Sequence, residues 1–520
     1  MARFSPMIPR FFGFSCGPAL AVWLLMAASG GFMLAPLAEA APRRPAPVEL
    51  LQVERPWPAL VAVRVAIGGG ASLDPQGQEG LALLGWNAAL RGAGERNRAE
   101  LAQALDALGA RLEVAVDKQS AVIYGDVAAD QLEPFARLLA DVLLRPRFEP
   151  AEVEAVRAEL VADLEQLQDD DEAQAGDAAG RYLYRGQAQG RPTAGTAASL
   201  RAIDATKLKA WHKRLVVSGN LRLGLAGDLR GETAKKTLLA ALDSLQSGPV
   251  PSPKLAKMVA QGRRLLLIDK ARRTQAQVVL AMTAAPAKHK DLLAMLVGNA
   301  VLGGTFTSRL NREIRELRGW AYQTWSGLAA APGTSTWSLG FASANRDTPA
   351  ALEMAVRVVE EMQSLGVTPA ELRHAKDWLK GAHGLAMETA TGELAQRMRF
   401  AELGLAQSDL DQFAQRVEAV DAKAVQRALR EQLRPDHLVG VVVGSARALA
   451  EKLSSSSAAF QIERIGATDL PEATTATGLL GGTRPVLPPA DEGGDGSHGP
   501  VHEPENGDEA GPEEEAEEAP

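Results

Sequence analysis

Hydrophobic and polar positions along this chain fall into one succession of elements that occurs twice. A strand-like run over 120–127 leads into an apolar stripe of helical period over 132–144. The same succession returns at 335–342 and 350–365. A helix start follows each stripe: Phe148-Glu149-Pro150-Ala151-Glu152-Val153 in the first copy, Val367-Thr368-Pro369-Ala370-Glu371-Leu372 in the second. Proline is tolerated in a first helical turn, and the glutamate beside it favours the positive end of the helix dipole. Further on, 221–228 and 438–445 predict short buried strands that close at Gly227 and Gly444. The Pro-Ala-Glu pair is offset by 219 residues and the closing glycine by 217. Two matches in register point to a duplicated chain.

The duplication predicts two halves, 46–245 and 262–460, joined over 246–261. The joint contains Ser247-Gly248-Pro249-Val250-Pro251-Ser252-Pro253, which by composition is a stiff, exposed tether. Clustered strands with paired helices predict an α+β fold. Each half is expected to be an α/β sandwich, a mixed or antiparallel sheet with helices on one face, and the two halves to face each other as a clamshell.

Composition alters this picture only at the two ends. Arg3 and Arg10, the apolar stretch 19–34 and Ala38-Glu39-Ala40 predict a cleaved export signal over 1–40. Gly30, Gly31 and Pro36 cut the apolar run short of a membrane span. The mature chain is expected to be secreted, in a bacterial periplasm, and to keep no membrane segment. Cys16, the only cysteine, falls inside that signal, so the mature chain has no disulfide and no thiolate chemistry. The net charge of −8 is a property of the tail: 491–520 carries twelve Asp and Glu without Lys or Arg, leaving +4 for the rest. The stretch 466–520, rich in Gly, Pro and Glu, predicts a disordered acidic tail.

Chemistry gathers at one long motif, Leu302-Gly303-Gly304-Thr305-Phe306-Thr307-Ser308-Arg309-Leu310-Asn311-Arg312-Glu313-Ile314-Arg315-Glu316-Leu317-Arg318-Gly319-Trp320-Ala321-Tyr322. It resembles the C-terminal-half signature of the pitrilysin/insulinase zinc peptidases, and the resemblance extends over about 47–460. In that family the first half carries H-x-x-E-H, two histidines holding zinc and a glutamate activating water. The matching frame here is Gly80-Leu81-Ala82-Leu83-Leu84-Gly85-Trp86-Asn87. Leu83 and Asn87 stand where the histidines belong, and Trp86 replaces the glutamate. Glu159 matches the distal carboxylate ligand. No other pairing of the seven histidines forms such a motif; His374 and His383, nine apart, lie on opposite sides of a helix. The resemblance therefore implies no metal bound by this chain. It also implies that Arg315 and Tyr322 are retained as the pair that reaches a substrate carbonyl and stabilises charge developing on it.

Other chemistries find no support. Gly303-Gly304 lacks a following Gly-Lys-Ser/Thr, and Lys254 to Arg273 lacks the interleaved aromatics of a nucleic-acid site. The acidic run 166–172 lacks the glycine of a calcium loop and predicts a solvated helix end. The expected function is a non-catalytic subunit that binds peptides and supports hydrolysis by a homologous, zinc-bearing partner. The alternative is an inactive structural or peptide-binding homologue, and a third is an autonomous metallopeptidase.

Overall fold

A computed structural model of the chain describes residues 48–251, 255–258 and 262–466. The expected export signal, and the tail beyond Gly466, lie outside the described residues. In the first half the strands are β1 (Glu49–Glu54), β2 (Leu60–Gly68), β3 (Glu113–Val116), β4 (Ser120–Ala128) and β5 (Leu221–Gly227). They form one sheet in the order β1-β5-β2-β4-β3, with β1 and β5 parallel and the other pairs antiparallel. Its helices include α1 (Leu81–Ala89), α2 (Leu132–Leu144), α3 (Pro150–Leu167), α4 (Asp171–Leu183) and α5 (Ala205–Leu215).

The second half repeats this plan with β6 (Arg264–Asp269), β7 (Gln275–Ala284), β8 (Ala321–Ala329), β9 (Ser335–Ala344) and β10 (Val439–Gly444). Their order is β8-β9-β7-β10-β6, the same topology strand for strand, and β11 (Gln461–Gly466) adds a parallel edge beside β6. Among its helices are α6 (Thr348–Leu365), α7 (Pro369–Ala386) and α8 (Ala390–Glu402). The mixed α/β sandwich expected for each half is what the chain forms, and every element of the sequence repeat has its counterpart. Each sheet alternates so that one set of side chains joins a helix-covered core. In β2 these are Val61, Val63, Val65 and Ile67, all essentially buried. Among the described residues no helix is long and apolar enough to cross a membrane.

The opposite face of each sheet is covered by a helix from the other half. Ala175, Ala178, Ala179 and Leu183 of α4 pack on Val279 and Ala281 of β7 and on Val439, Val441 and Val443 of β10. Reciprocally, Leu394 and Met398 of α8 pack on Val53, Ala62, Ala66 and Ala226 of the first sheet. Small residues make the contact close: a Cβ at Gly224 would lie 2.6 Å from Met398 Sδ. Ion pairs pin both crossings. Lys270 Nζ and Arg273 Nε approach Asp171 at 2.5 and 2.7 Å, and Arg55 Nη2 meets Glu393 at 2.8 Å. The acidic run expected to be a solvated helix end is thus the capped start of α4, with Asp170 accepting from Ala173 N and Asp171 tied across to the second half. The described tether residues 247–250 are exposed, while further along the joint Ala256 is buried and its carbonyl accepts from Thr334 Oγ1 at 2.7 Å.

The second crossing carries a titrating group. Glu402, at the end of α8, has a side chain only 12% exposed, 3.9 Å from Arg399. Burial raises its carboxyl from 4.5 to about 7; Arg399, Arg222 and Arg64 pull it down less than that, and Asp117 adds to the rise. The folded form therefore holds a proton that the unfolded chain releases at lower pH. Stability is fully present below about pH 4.5 and is lost as pH rises towards 7, by on the order of 3 kcal/mol at most. Glu402→Gln is expected to remove that slope, so its melting temperature should gain on the wild type across this window. Parallel pH profiles for the two proteins would rule the assignment out.

Candidate functional site

Helix α1 carries Leu83, Trp86 and Asn87, the positions that match the family's metal motif. Its start is fixed by Gly80 in the left-handed region at φ 91°, and by Asp74, whose two carboxylate oxygens accept from Gly80 N and Ala82 N at 2.9 and 3.1 Å. Leu83 and Trp86 then point into the core, 7% and 0% exposed. The Trp86 ring meets Trp211 edge-on at 5.2 Å and His212 at 5.9 Å, and Phe148 closes on His212 at 5.8 Å. Gly85 makes room for this group, since a Cβ there would sit 2.4 Å from the Trp211 ring. His212 hydrogen-bonds the Leu143 carbonyl at 2.8 Å, and burial lowers its pKa, so the ring stays neutral.

The remaining positions are equally committed. Asn87 Nδ2 donates to Leu83 O at 2.8 Å, a helix-internal bond. Glu159, on α3, is paired with Arg91 at 2.5 Å. A guanidinium thus satisfies the carboxylate that a metal would otherwise hold. An aliphatic side chain, an indole, a self-bonded amide and a neutralised carboxylate do not fit a zinc ion.

Among the described residues, one other trio could bring donor atoms within 4.8 Å of one another: His289, Asp291 and Glu431. Arg427 already occupies it, with Nη2 2.5 Å from Asp291 Oδ1. This hydrogen bond, which outweighs burial, holds the Asp291 carboxyl below its usual range. The Nδ1 of His289 accepts from Asp291 N at 3.2 Å. Asp291, the buried member of that trio, is thus already committed to Arg427.

The second half presents the opposite situation. From Ala300 to Gly304 and from Asn311 to Glu316 the backbone widens into two π-helical turns, with Leu317 N bonded to Arg312 O at 2.9 Å and Trp320 N to Ile314 O at 3.0 Å. Gly319, at φ 65°, ends the turn and lets β8 begin. The register of β8 against β9 slips between Ala321 and Thr324, which swings Tyr322 out of the ladder to 86% exposure at the sheet edge.

Four arginines lie between Ser308 and Gly319, and three are engaged. Arg309 forks onto Glu371 at 2.7 and 2.8 Å; burial opposes ionisation there, but this fork and Thr368 N draw the carboxyl down to about 2. Arg312 and Arg318 both hold Glu313, each at 2.8 Å. Arg315 has no ion pair and no side-chain hydrogen bond among the described residues. Its guanidinium lies over two rings instead, 4.5 Å from the Phe306 centroid and 5.5 Å from that of Tyr322. Ring faces attract the cation without using its in-plane N–H donors. Those donors stay free for an incoming oxygen.

The structure thus brings Arg315 and Tyr322 together on the surface of the second half, while Leu83, Trp86, Asn87 and Glu159 lie in the first half. Phe306 was not singled out from the sequence. The available signal was an aromatic residue two positions after a glycine pair, in the motif that supplies Arg315.

Residues 52–197 match the family model for insulinase (peptidase family M16), and residues 202–379 that for the peptidase M16 inactive domain. An uncharacterized zinc protease of Mycobacterium leprae is 27% identical over 355 residues, covering 67% of this chain and 79% of its own. A Helicobacter pylori protein named as a non-peptidase homolog is 26% identical over 349 residues, 66% of this chain and 79% of that one. Among solved structures, a peptidase M16 inactive domain from Pseudomonas fluorescens superposes with a TM-score of 0.72 at 24% identity, over 77% of this chain and 96% of that one.

Proposed function

Because the chain belongs to the insulinase (M16) peptidase family as a member of its inactive type, we propose that it is the Arg/Tyr-bearing subunit of a two-chain zinc peptidase. One observation carries the reading: Arg315 keeps all its donors free beside Tyr322, while the family's metal position is packed shut by Leu83, Trp86 and Asn87. A homologous partner bearing H-x-x-E-H supplies the zinc and the water it activates. This chain binds the peptide and directs the Arg315 N–H groups and the Tyr322 hydroxyl at the carbonyl oxygen as negative charge builds on it. Export to a periplasm belongs to the same reading and rests on the features of residues 1–40.

The test is recovery of the native protein with whatever accompanies it, followed by zinc analysis and peptide hydrolysis. The expected result is a stable complex with a homologous H-x-x-E-H chain, zinc in that chain, and hydrolysis only when both are mixed. Purification of this chain alone with one tightly held zinc and full activity would overturn the proposal.

The likeness to a relative named as a non-peptidase homolog favours a second reading, peptide binding without hydrolysis. It predicts that the chain binds unstructured peptides and leaves them intact beside every homologous chain tested.

A further inference from the structure

Phe306 has Arg315 on its ring and no apolar partner among the described residues. Its ring is 67% exposed and belongs to none of the apolar clusters of either half. Yet its backbone is held firmly. The buried Asn311 donates from Nδ2 to the Phe306 carbonyl at 2.5 Å, Ser308 N bonds Thr305 O at 3.1 Å, and Thr307 Oγ1 meets His374 Nε2 at 2.8 Å. Beyond this loop, the Arg309 fork onto Glu371 ties the segment to α7. A large apolar ring is therefore presented to water on a rigid base. Arg315 covers one part of it at 4.5 Å, and the rest stays open.

We propose that Phe306 has two roles: it positions Arg315, and its open surface is the floor of a subsite for one apolar side chain of an extended peptide. The inference rests on the reading that Arg315 and Tyr322 take a substrate carbonyl. In an extended chain successive residues advance about 3.3 Å. A carbonyl on Arg315 thus brings a neighbouring side chain over the ring that clamps it. Recognition of this kind selects aromatic or branched aliphatic residues and is indifferent to the others, because only that side chain exchanges water for the ring.

The experiment uses the full chain and labelled, unstructured Gly/Ser peptides with a central Phe, Leu, Gly or Asp, with binding followed by fluorescence anisotropy. Phe and Leu peptides are expected to bind about tenfold tighter than the Gly peptide, within the range for one well-seated apolar group. Phe306→Ala should erase that preference and leave the melting temperature unchanged; Phe306→Trp should keep it. Positioning is read separately from the Arg315 side-chain protons, whose guanidinium carbon lies 4.5 Å from the Phe306 ring centroid and which should shift downfield in Phe306→Leu but not in Phe306→Trp. An unaltered preference in Phe306→Ala, or tightest binding of the Asp peptide, overturns the subsite. If Arg315→Ala and Tyr322→Phe both hydrolyse peptides at the wild-type rate with the zinc-bearing partner, the carbonyl reading falls and this inference falls with it.

Discussion

Arg315→Ala is expected to lower kcat for peptide hydrolysis by the proposed two-chain peptidase about 10²–10³-fold, the range for losing one preorganised oxyanion donor. The effect should fall on kcat more than on KM, because the donors face an oxygen whose charge grows only in the transition state. Arg315→Lys should recover little. An ammonium lacks the planar fork and cannot stack on Phe306 and Tyr322 as the guanidinium does, 4.5 and 5.5 Å from the two rings. Tyr322→Phe keeps the ring and loses only the hydroxyl, so a smaller loss, roughly tenfold, is expected. Tyr322 is exposed and the half-buried Arg315 makes no ion pair or side-chain hydrogen bond among the described residues, so thermal melting of the variants should match the wild type. Wild-type turnover in both variants would end the catalytic assignment.

Trp86→Ala is expected to destabilise the chain by about 3–5 kcal/mol, read as the shift in urea midpoint. The side chain is fully buried among Trp211 and His212, and its indole N–H makes no hydrogen bond, so its contribution is volume and ring contact. Gly85 is fitted to Trp211 and cannot relax inward to fill the space. The same packing bears on the family chemistry. Restoring the motif as Leu83→His, Trp86→Glu and Asn87→His together places a carboxylate where an indole packs on Trp211. An unpaired charge in such a site is strongly unfavourable. The triple variant is expected to be less stable than Trp86→Ala and to bind no stoichiometric zinc. A folded triple variant holding one zinc would show that the ancestral geometry persists beneath the substitutions.

Much of this arrangement is legible in the sequence because duplication is a strong signal. The Pro-Ala-Glu helix starts, the paired strands and the closing glycines fix the order of elements in both halves, and the two sheets follow that order. The exchange of α4 and α8 was not legible. Gln174, Asp177 and Arg181 give α4 the look of a half-solvated helix, yet all three are buried in the finished fold. Periodicity reports how polar a face is, not whether a second half will cover it. At the site, Arg315 and Tyr322 follow from the motif because their spacing is local. That Arg315 alone among its neighbours is free depends on Glu371, which lies 56 positions away in the chain from Arg315 and 62 from Arg309. No local reading supplies that.

The crossing of α4 and α8 also says something about origins. Each occupies the same place after its Pro-Ala-Glu helix, and each completes the sheet that it does not belong to. In a molecule of half this length the same geometry would leave one sheet face bare and one helix without a seat. Two copies would satisfy both by trading that helix. A gene fused head to tail would inherit the trade as an internal bond, turning a concentration-dependent homodimer into one inseparable polypeptide whose two copies were then free to diverge.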